Sequence, residues 1–237
     1  MSSAVLNRSE PTSVRVPLLE NGDRLTRAEF ERRYAAMPSV NKAELIEGVV
    51  FMPSPARIKK HGAPQSDLVA WLRYYAAYTP GVETGDNTTI RLDLDNEPQP
   101  DVVLRILPET GGQTTDSEDD YIEGAPELAA EIASSSASYD LHQKKNAYRR
   151  NGVREYLAWV IEEQKLHWWE LRDEQYLPLE PDAQGLIRSR VFPGLWLDTA
   201  ALLGKDFARV LAVVAQGVAS VEHAQFAARL AAALAKR

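Results

Sequence analysis

The sequence predicts an α/β chain of the mixed α+β kind: a mixed β-sheet flanked by helices, with a helical appendage at the C-terminus. Three observations carry that prediction. Short apolar runs such as DVVLRI (101–106), LAAEIA (128–133) and EYLAWVI (155–161) recur between turn signals. The stretch 64–78 repeats Leu68, Trp71, Leu72 and Tyr75 at helical spacing. From Thr199 alanine dominates, in two amphipathic stretches at 206–219 and 222–236.

The elements follow in order. Residues 1–22 read as a flexible N-terminal arm, 23–204 as the main domain and 205–237 as a helical extension. Thr26 and Glu29 form a capping-box pattern that opens a helix running to about Ala36. AELIEG and VVFMPSP flank Gly48 as a β-hairpin. Strands are expected at 82–86, 88–94, 101–106 and 127–133, then a helix at 140–151 stopped by Asn151-Gly152. EYLAWVI and KLHWWEL read as strands joined by Glu162-Glu163-Gln164, with further strands near 176–180 and 188–192.

The 237 residues suffice for a sizeable core. Without cysteine, disulfides and thiolate chemistry are excluded. The first 22 residues lack the apolar centre of a secretion signal, and no run of about 18 apolar residues occurs. The expected address is cytoplasmic, with no membrane partner. The net charge of −7 is unevenly spread: residues 61–140 carry 3 basic and 16 acidic side chains. That excess opposes nucleic-acid binding unless cations offset it. TTDSEDD (114–120) reads as a solvated acidic loop.

Three groups stand out chemically. Asp101 opens a strand, Glu131 interrupts the run LAAEIA, and Lys144 lies on the helix that follows. A carboxylate inside an apolar strand is costly unless paired, hydrogen-bonded or metal-bound. Two such acids on neighbouring strands, with a hard divalent cation between them and a lysine nearby, would suit phosphate chemistry. Each has a plainer reading. Asp101 can mark a turn after Pro100. Glu131 can face solvent from an edge strand, and Lys144 can pair with Asp140 one helical turn away. Lys144, Lys145, Arg149, Arg150 and Arg154 put five cations into 11 residues. They serve either as phosphate contacts, Lys145, Arg149 and Arg150 first, or as a solvated helix face.

The ordered motifs resemble the Uma-type family, a restriction-endonuclease-like branch of the PD-(D/E)XK nuclease superfamily. The matching pieces are Glu44-Leu45-Ile46-Glu47-Gly48, Ser54-Pro55 with His61, and Gln99-Pro100-Asp101. Next come Gly124-Ala125-Pro126-Glu127-Leu128 leading into Glu131, then Asp140, Lys144 and Tyr148. Gly152-Val153-Arg154-Glu155-Tyr156 and Phe192-Pro193-Gly194-Leu195 close the set, which spans about 25–204. The resemblance implies a restriction-endonuclease-like core. It implies Asp101 and Glu131 as metal ligands and Lys144 as the catalytic lysine, because the usual lysine position two residues after the acid is Ala133. Glu44 is a further acidic contributor, with Glu47 facing the other way. His61 either touches the substrate phosphate or caps the second helix. Departures are Ala43 in place of a tyrosine and Ser134-Ser135-Ser136 in place of Leu-Ser-Pro.

The function so implied is Mg²⁺-dependent hydrolysis of DNA phosphodiester bonds, with Mn²⁺ able to substitute. The alternative is a catalytically weak or inactive nuclease-fold module acting with a partner protein. A phosphate-cradling small-molecule site is disfavoured, since no Gly-rich loop is present. The stripes Phe207, Val210, Leu211, Val214 and Phe226, Leu230, Ala233, Leu234 either cover the sheet or form a homodimer interface.

Overall fold

β-branched and aromatic runs pair into one central sheet, and the apolar helices cover it. The computed structural model describes residues 15–53, 55–134 and 136–236. Most of the arm expected over 1–22 lies outside the described residues, as do Ser54 and Ser135. Leu19 is buried against Phe30, Leu45 and Val50, so the end of the expected arm is packed down.

In chain order the elements are α1 (Arg27–Ala35), β1 (Glu44–Ile46), β2 (Val49–Phe51), a π-helical turn Ile58–Gly62 and α2 (Ala63–Ala77). Then come β3 (Val82–Asp86), β4 (Ile90–Arg91), β5 (Val102–Ile106), β6 (Thr115–Asp116), β7 (Ile122–Glu123) and β8 (Leu128–Ala133). A helical passage follows: α3 (Ala137–Tyr139), a π-helical turn Asp140–Lys144 and α4 (Lys145–Asn151). The chain ends with β9 (Glu155–Val160), β10 (Lys165–Arg172), β11 (Gln175–Pro178), β12 (Leu186–Arg188), β13 (Trp196–Asp198), α5 (Thr199–Leu203), α6 (Phe207–Val218) and α7 (Val221–Leu234).

The central sheet has six strands in the order β11-β10-β9-β8-β5-β3. All neighbours are antiparallel except β8 and β9, which are parallel. A parallel pair needs a crossover, and α3 to α4 supplies it. That crossover lays the lysine-bearing helix over one face of the sheet. Alternation sorts the two faces. Val102, Leu104, Leu128, Ala130, Ile132 and Leu157 face the main core with Trp71, Tyr75 and Phe192. Ala129 and Ala158 face the crossover, against Tyr148 and Tyr156.

The C-terminal helices belong to that main core, where Val210, Val214, Phe226 and Leu230 join α2 and the sheet. These four stripe residues therefore cover the chain's own core, while Phe207, Leu211, Ala233 and Leu234 stay half-buried. Gly217 permits the approach: a Cβ there would stand 2.0 Å from the Gly194 carbonyl oxygen. Among the described residues no single helix is long and apolar enough to cross a membrane; α6 and α7 meet that length only together, bent by 66°.

Four expectations need correction. The strand expected at 88–94 shrinks to Ile90–Arg91, because the Asp93 side chain accepts from the Asp95 N–H and the Asn96 amide and turns the chain. The strand expected at 188–192 lies earlier, at Leu186–Arg188. The N–H groups of Arg190 and Val191 go to the Glu155 carboxylate instead of a ladder. The acidic stretch 114–120 is not wholly a solvated loop: Thr115–Asp116 pairs with Ile122–Glu123, and Thr114 is buried. Asp116 and Asp119 pair with Arg105 and Arg91. The helix expected from Asp140 begins at Ala137 and loosens into the π-helical turn.

Candidate functional site

Asp101 immediately precedes β5, and the β5–β8 register pairs Val102 with Ala130. Continuing that register by one residue sets Asp101 opposite Glu131, on the face that carries Ala129 and Val103. Facing side chains in such a pair have Cβ atoms about 4.5–5.5 Å apart. β8 lies inside the sheet, so Glu131 is buried and does not face solvent from an edge.

The crossover delivers Lys144 to Glu131. Its ammonium lies 2.8 Å from Glu131 Oε1 and 2.8 Å from Glu44 Oε1, with Asp140 Oδ1 at 4.0 Å. The Tyr148 hydroxyl donates to the same Glu131 oxygen at 2.8 Å. Lys144 thus pairs with Asp140 only at the margin; its close partners are the two glutamates. The π-helical turn shapes this arrangement, a geometry frequent at functional sites. The Tyr156 hydroxyl bonds the Asp140 carbonyl within it, and Ser136 Oγ donates to the Asp140 carboxylate at 2.6 Å.

Glu44 arrives through β1. Its neighbour Leu45 bridges to Glu97, so β1 runs beside the segment leading to Asp101. Pro98 and Pro100 have no N–H, and the one donor between them, Gln99 N–H, goes to Glu44 Oε1 at 2.7 Å. Glu47 lies elsewhere, pairing with Arg150 at 2.6 Å.

Asp101 has its own set of donors. Oδ2 accepts the Ile132 N–H at 2.8 Å, while Oδ1 meets Lys42 Nζ at 3.2 Å and His61 Nε2 at 3.3 Å. Gln65 on α2 holds the Asp101 carbonyl. His61 comes from the π-helical turn Ile58–Gly62; its ring lies on Asp101 and does not cap α2. Lys42 and His61 keep side-chain exposures of 21% and 22%, so solvent reaches Asp101 from their side.

Electrostatics separate the acids. Burial favours the neutral form of Asp101, yet the His61 hydrogen bond and the Lys42 charge outweigh it and hold the carboxyl well below its usual range. The Asp101 bond raises His61. Burial pushes Glu131 up to about 8 against the pull of Lys144, and Asp140 up to about 6. Burial alone would lower Lys144; Glu131 and Glu44 more than reverse it and keep the ammonium charged. Four buried carboxylates thus share two lysines and one imidazole, and burial drives part of their charge onto bound protons.

Two observations bear on a divalent cation. Hard carboxylate oxygen donors suit Mg²⁺ or Mn²⁺. Against a dedicated all-protein cage, no group of three or more ligating side chains converges among the described residues. The donor set fits an ion held by two carboxylates and completed by water and substrate.

The expected phosphate contacts are not brought to the pocket. Lys145 Nζ lies 3.6 Å over the Trp169 ring, Arg149 binds the Glu174 carbonyl and Arg150 binds Glu47. Trp71 and Trp168 pack edge to face in the core, where they cannot stack on bases. Lys42 went unread in the sequence, although it stands two residues before Glu44 and so shares its side of an extended chain.

Residues 27–200 match the family model described as "Uma2: Putative restriction endonuclease", and the chain belongs to that family. Among solved structures it is similar to one from Anabaena variabilis described as a "putative nuclease belonging to DUF820". That likeness has a TM-score of 0.52 at 16% identity and covers 77% of this chain and 97% of the other; it shows the fold. No curated protein matches.

Proposed function

We propose, from this membership and the geometry above, that the chain is a metal-dependent endonuclease hydrolysing DNA phosphodiester bonds. One observation carries the reading: Asp101 and Glu131 stand opposite each other on adjacent strands, with the Lys144 ammonium 2.8 Å from Glu131. Asp101 and Glu131 would hold Mg²⁺, or Mn²⁺ in its place, and the ion would supply Lewis acidity and a more acidic bound water. Asp101, kept anionic by the His61 hydrogen bond and the Lys42 charge, is the stronger ligand. Glu131, pushed up by burial, takes a proton readily when no cation is near. Lys144, held charged, orients the attacking water and balances charge growing on the phosphate oxygens. His61, raised by its hydrogen bond to Asp101, is partly exposed on the side from which solvent reaches that carboxylate. Attack of water on phosphorus breaks the P–O3′ bond and leaves a 5′-phosphate.

The reading in which the chain is a nuclease-fold module acting with a partner has one observation in its favour: the cations nearest the pocket already have partners within the chain. Titration calorimetry separates the two. Mn²⁺ should bind the wild type and fail to bind Asp101→Ala and Glu131→Ala, and the wild type should nick plasmid DNA in Mn²⁺. Absence of both binding and nicking would overturn the nuclease reading in favour of the module.

A further inference from the structure

Tyr139 stands where α3 meets the π-helical turn, its ring packed on Phe51 with centroids 3.8 Å apart. The hydroxyl at its tip is buried without a partner among the described residues. Buried polar groups are almost always satisfied, and an exception calls for an explanation. Of the other unpartnered buried atoms, Glu31 Oε1 and Arg91 Nε lie 2.8 Å apart as an ion pair away from this pocket.

The surroundings say what the hydroxyl is waiting for. Lys144 Nζ lies 5.8 Å from the Tyr139 ring centroid. Beyond burial, the charges acting on the hydroxyl are those of Glu44, Lys144, Glu131 and Asp140. Burial and Glu44 raise it, so it keeps its proton and serves as a donor. Tyr139 also lines an open cavity of about 330 Å³ with Phe51, Ser136, Ser138, His142 and Gln143. The carboxylates present are held by Lys144, Tyr148, Ser136 and the Gln99 N–H, and none reaches the hydroxyl. The acceptor this hydroxyl lacks among the described residues is one that tolerates a neighbouring ammonium.

We infer that Tyr139 is a substrate contact whose hydroxyl donates a hydrogen bond to a non-bridging oxygen of the bound phosphodiester. This rests on the nuclease reading above and adds a residue to it. Hydrogen bonds to charged acceptors are the strong ones, so the loss on deletion is measurable. The unliganded protein carries the cost of the unsatisfied hydroxyl, which is the usual relation between stability and function at a site.

Tyr139→Phe tests it, because the ring and its packing on Phe51 remain and one oxygen leaves. The free protein should melt ~2–4 °C higher. Its affinity for a short DNA oligonucleotide, measured by fluorescence anisotropy in Ca²⁺, should fall about tenfold. The two changes have opposite signs, which a merely structural tyrosine does not produce. A melting temperature that falls, with affinity unchanged, would show a hydroxyl satisfied by structural water and overturn the inference. Wild type that binds no oligonucleotide, single- or double-stranded, sinks the nuclease reading itself; wild type that binds no better than Tyr139→Phe sinks this inference alone.

Discussion

Glu131 and Glu155 are both fully sequestered acids on adjacent strands of one sheet, and they lie on opposite faces. Glu155 receives Ser189 Oγ at 3.0 and 2.9 Å, the Arg190 N–H at 2.7 Å, the Val191 N–H at 3.1 Å and the Trp168 indole at 3.1 Å. Every one of those donors is neutral, and together they pin the turn after β12 to the sheet. Glu131 has an ammonium, a tyrosine and three neighbouring carboxylates, beside a hydroxyl with no partner among the described residues. A buried acid is therefore not a functional signal in itself. What distinguishes the two is whether the surroundings are complete without a ligand.

The largest expected effect tests that contrast directly. Glu155→Ala strands several buried donors at about 1–3 kcal/mol each. Urea unfolding should show a loss of at least about 3 kcal/mol, with Mn²⁺ binding by the folded protein unchanged. Glu131→Ala should cost less than half as much, since Lys144 keeps Glu44 and the crowding of carboxylates is relieved. Equal losses would remove the distinction between the two acids.

A smaller effect is set by pH. Burial pushes Glu155 up to about 7, against backbone N–H bonds that lower it. A carboxyl raised on folding binds its proton more tightly in the native state. Its contribution is complete below about 4.5, its ordinary range, and is lost as pH rises through about 7. Between those limits wild type should lose about 3 kcal/mol relative to Glu155→Gln. A constant difference between the two unfolding curves across that window would show Glu155 ionised throughout.

The smallest effect concerns the basic helix. Arg150 and Glu47 form an exposed pair, and such pairs contribute about 0–1 kcal/mol. Arg150→Ala should change stability by less than about 1 kcal/mol and oligonucleotide affinity by less than twofold. A tenfold loss of affinity would return this cation to the substrate path and redraw the boundary of the site.

Much of the site was legible because strand alternation and helix spacing are local. Asp101 and Glu131 stood out as acids in apolar runs, and Lys144 as the cation on the next helix. Lys42 and Tyr139 were not marked as functional. Lys42 reaches Asp101 across 59 residues of chain, and the role proposed for Tyr139 rests on a hydroxyl without a partner among the described residues. The basic run 144–154 left two readings open for the same reason, since Trp169, Glu174 and Glu47, which engage Lys145, Arg149 and Arg150, are remote in sequence.

By itself the sequence determined the kinds of element, their order, the alternation that gives Asp101 and Glu131 one side of their strands, and the family. Only the tertiary structure decided which buried acid is finished and which is left open, because desolvation is offset by whichever partners folding brings alongside. Glu131 meets a lysine from the crossover and a glutamate from β1; Glu155 meets a turn 34 residues on. Both glutamates stand in apolar strand runs, and the register of the sheet and the path of one connection made one of them a fastening and the other a candidate site.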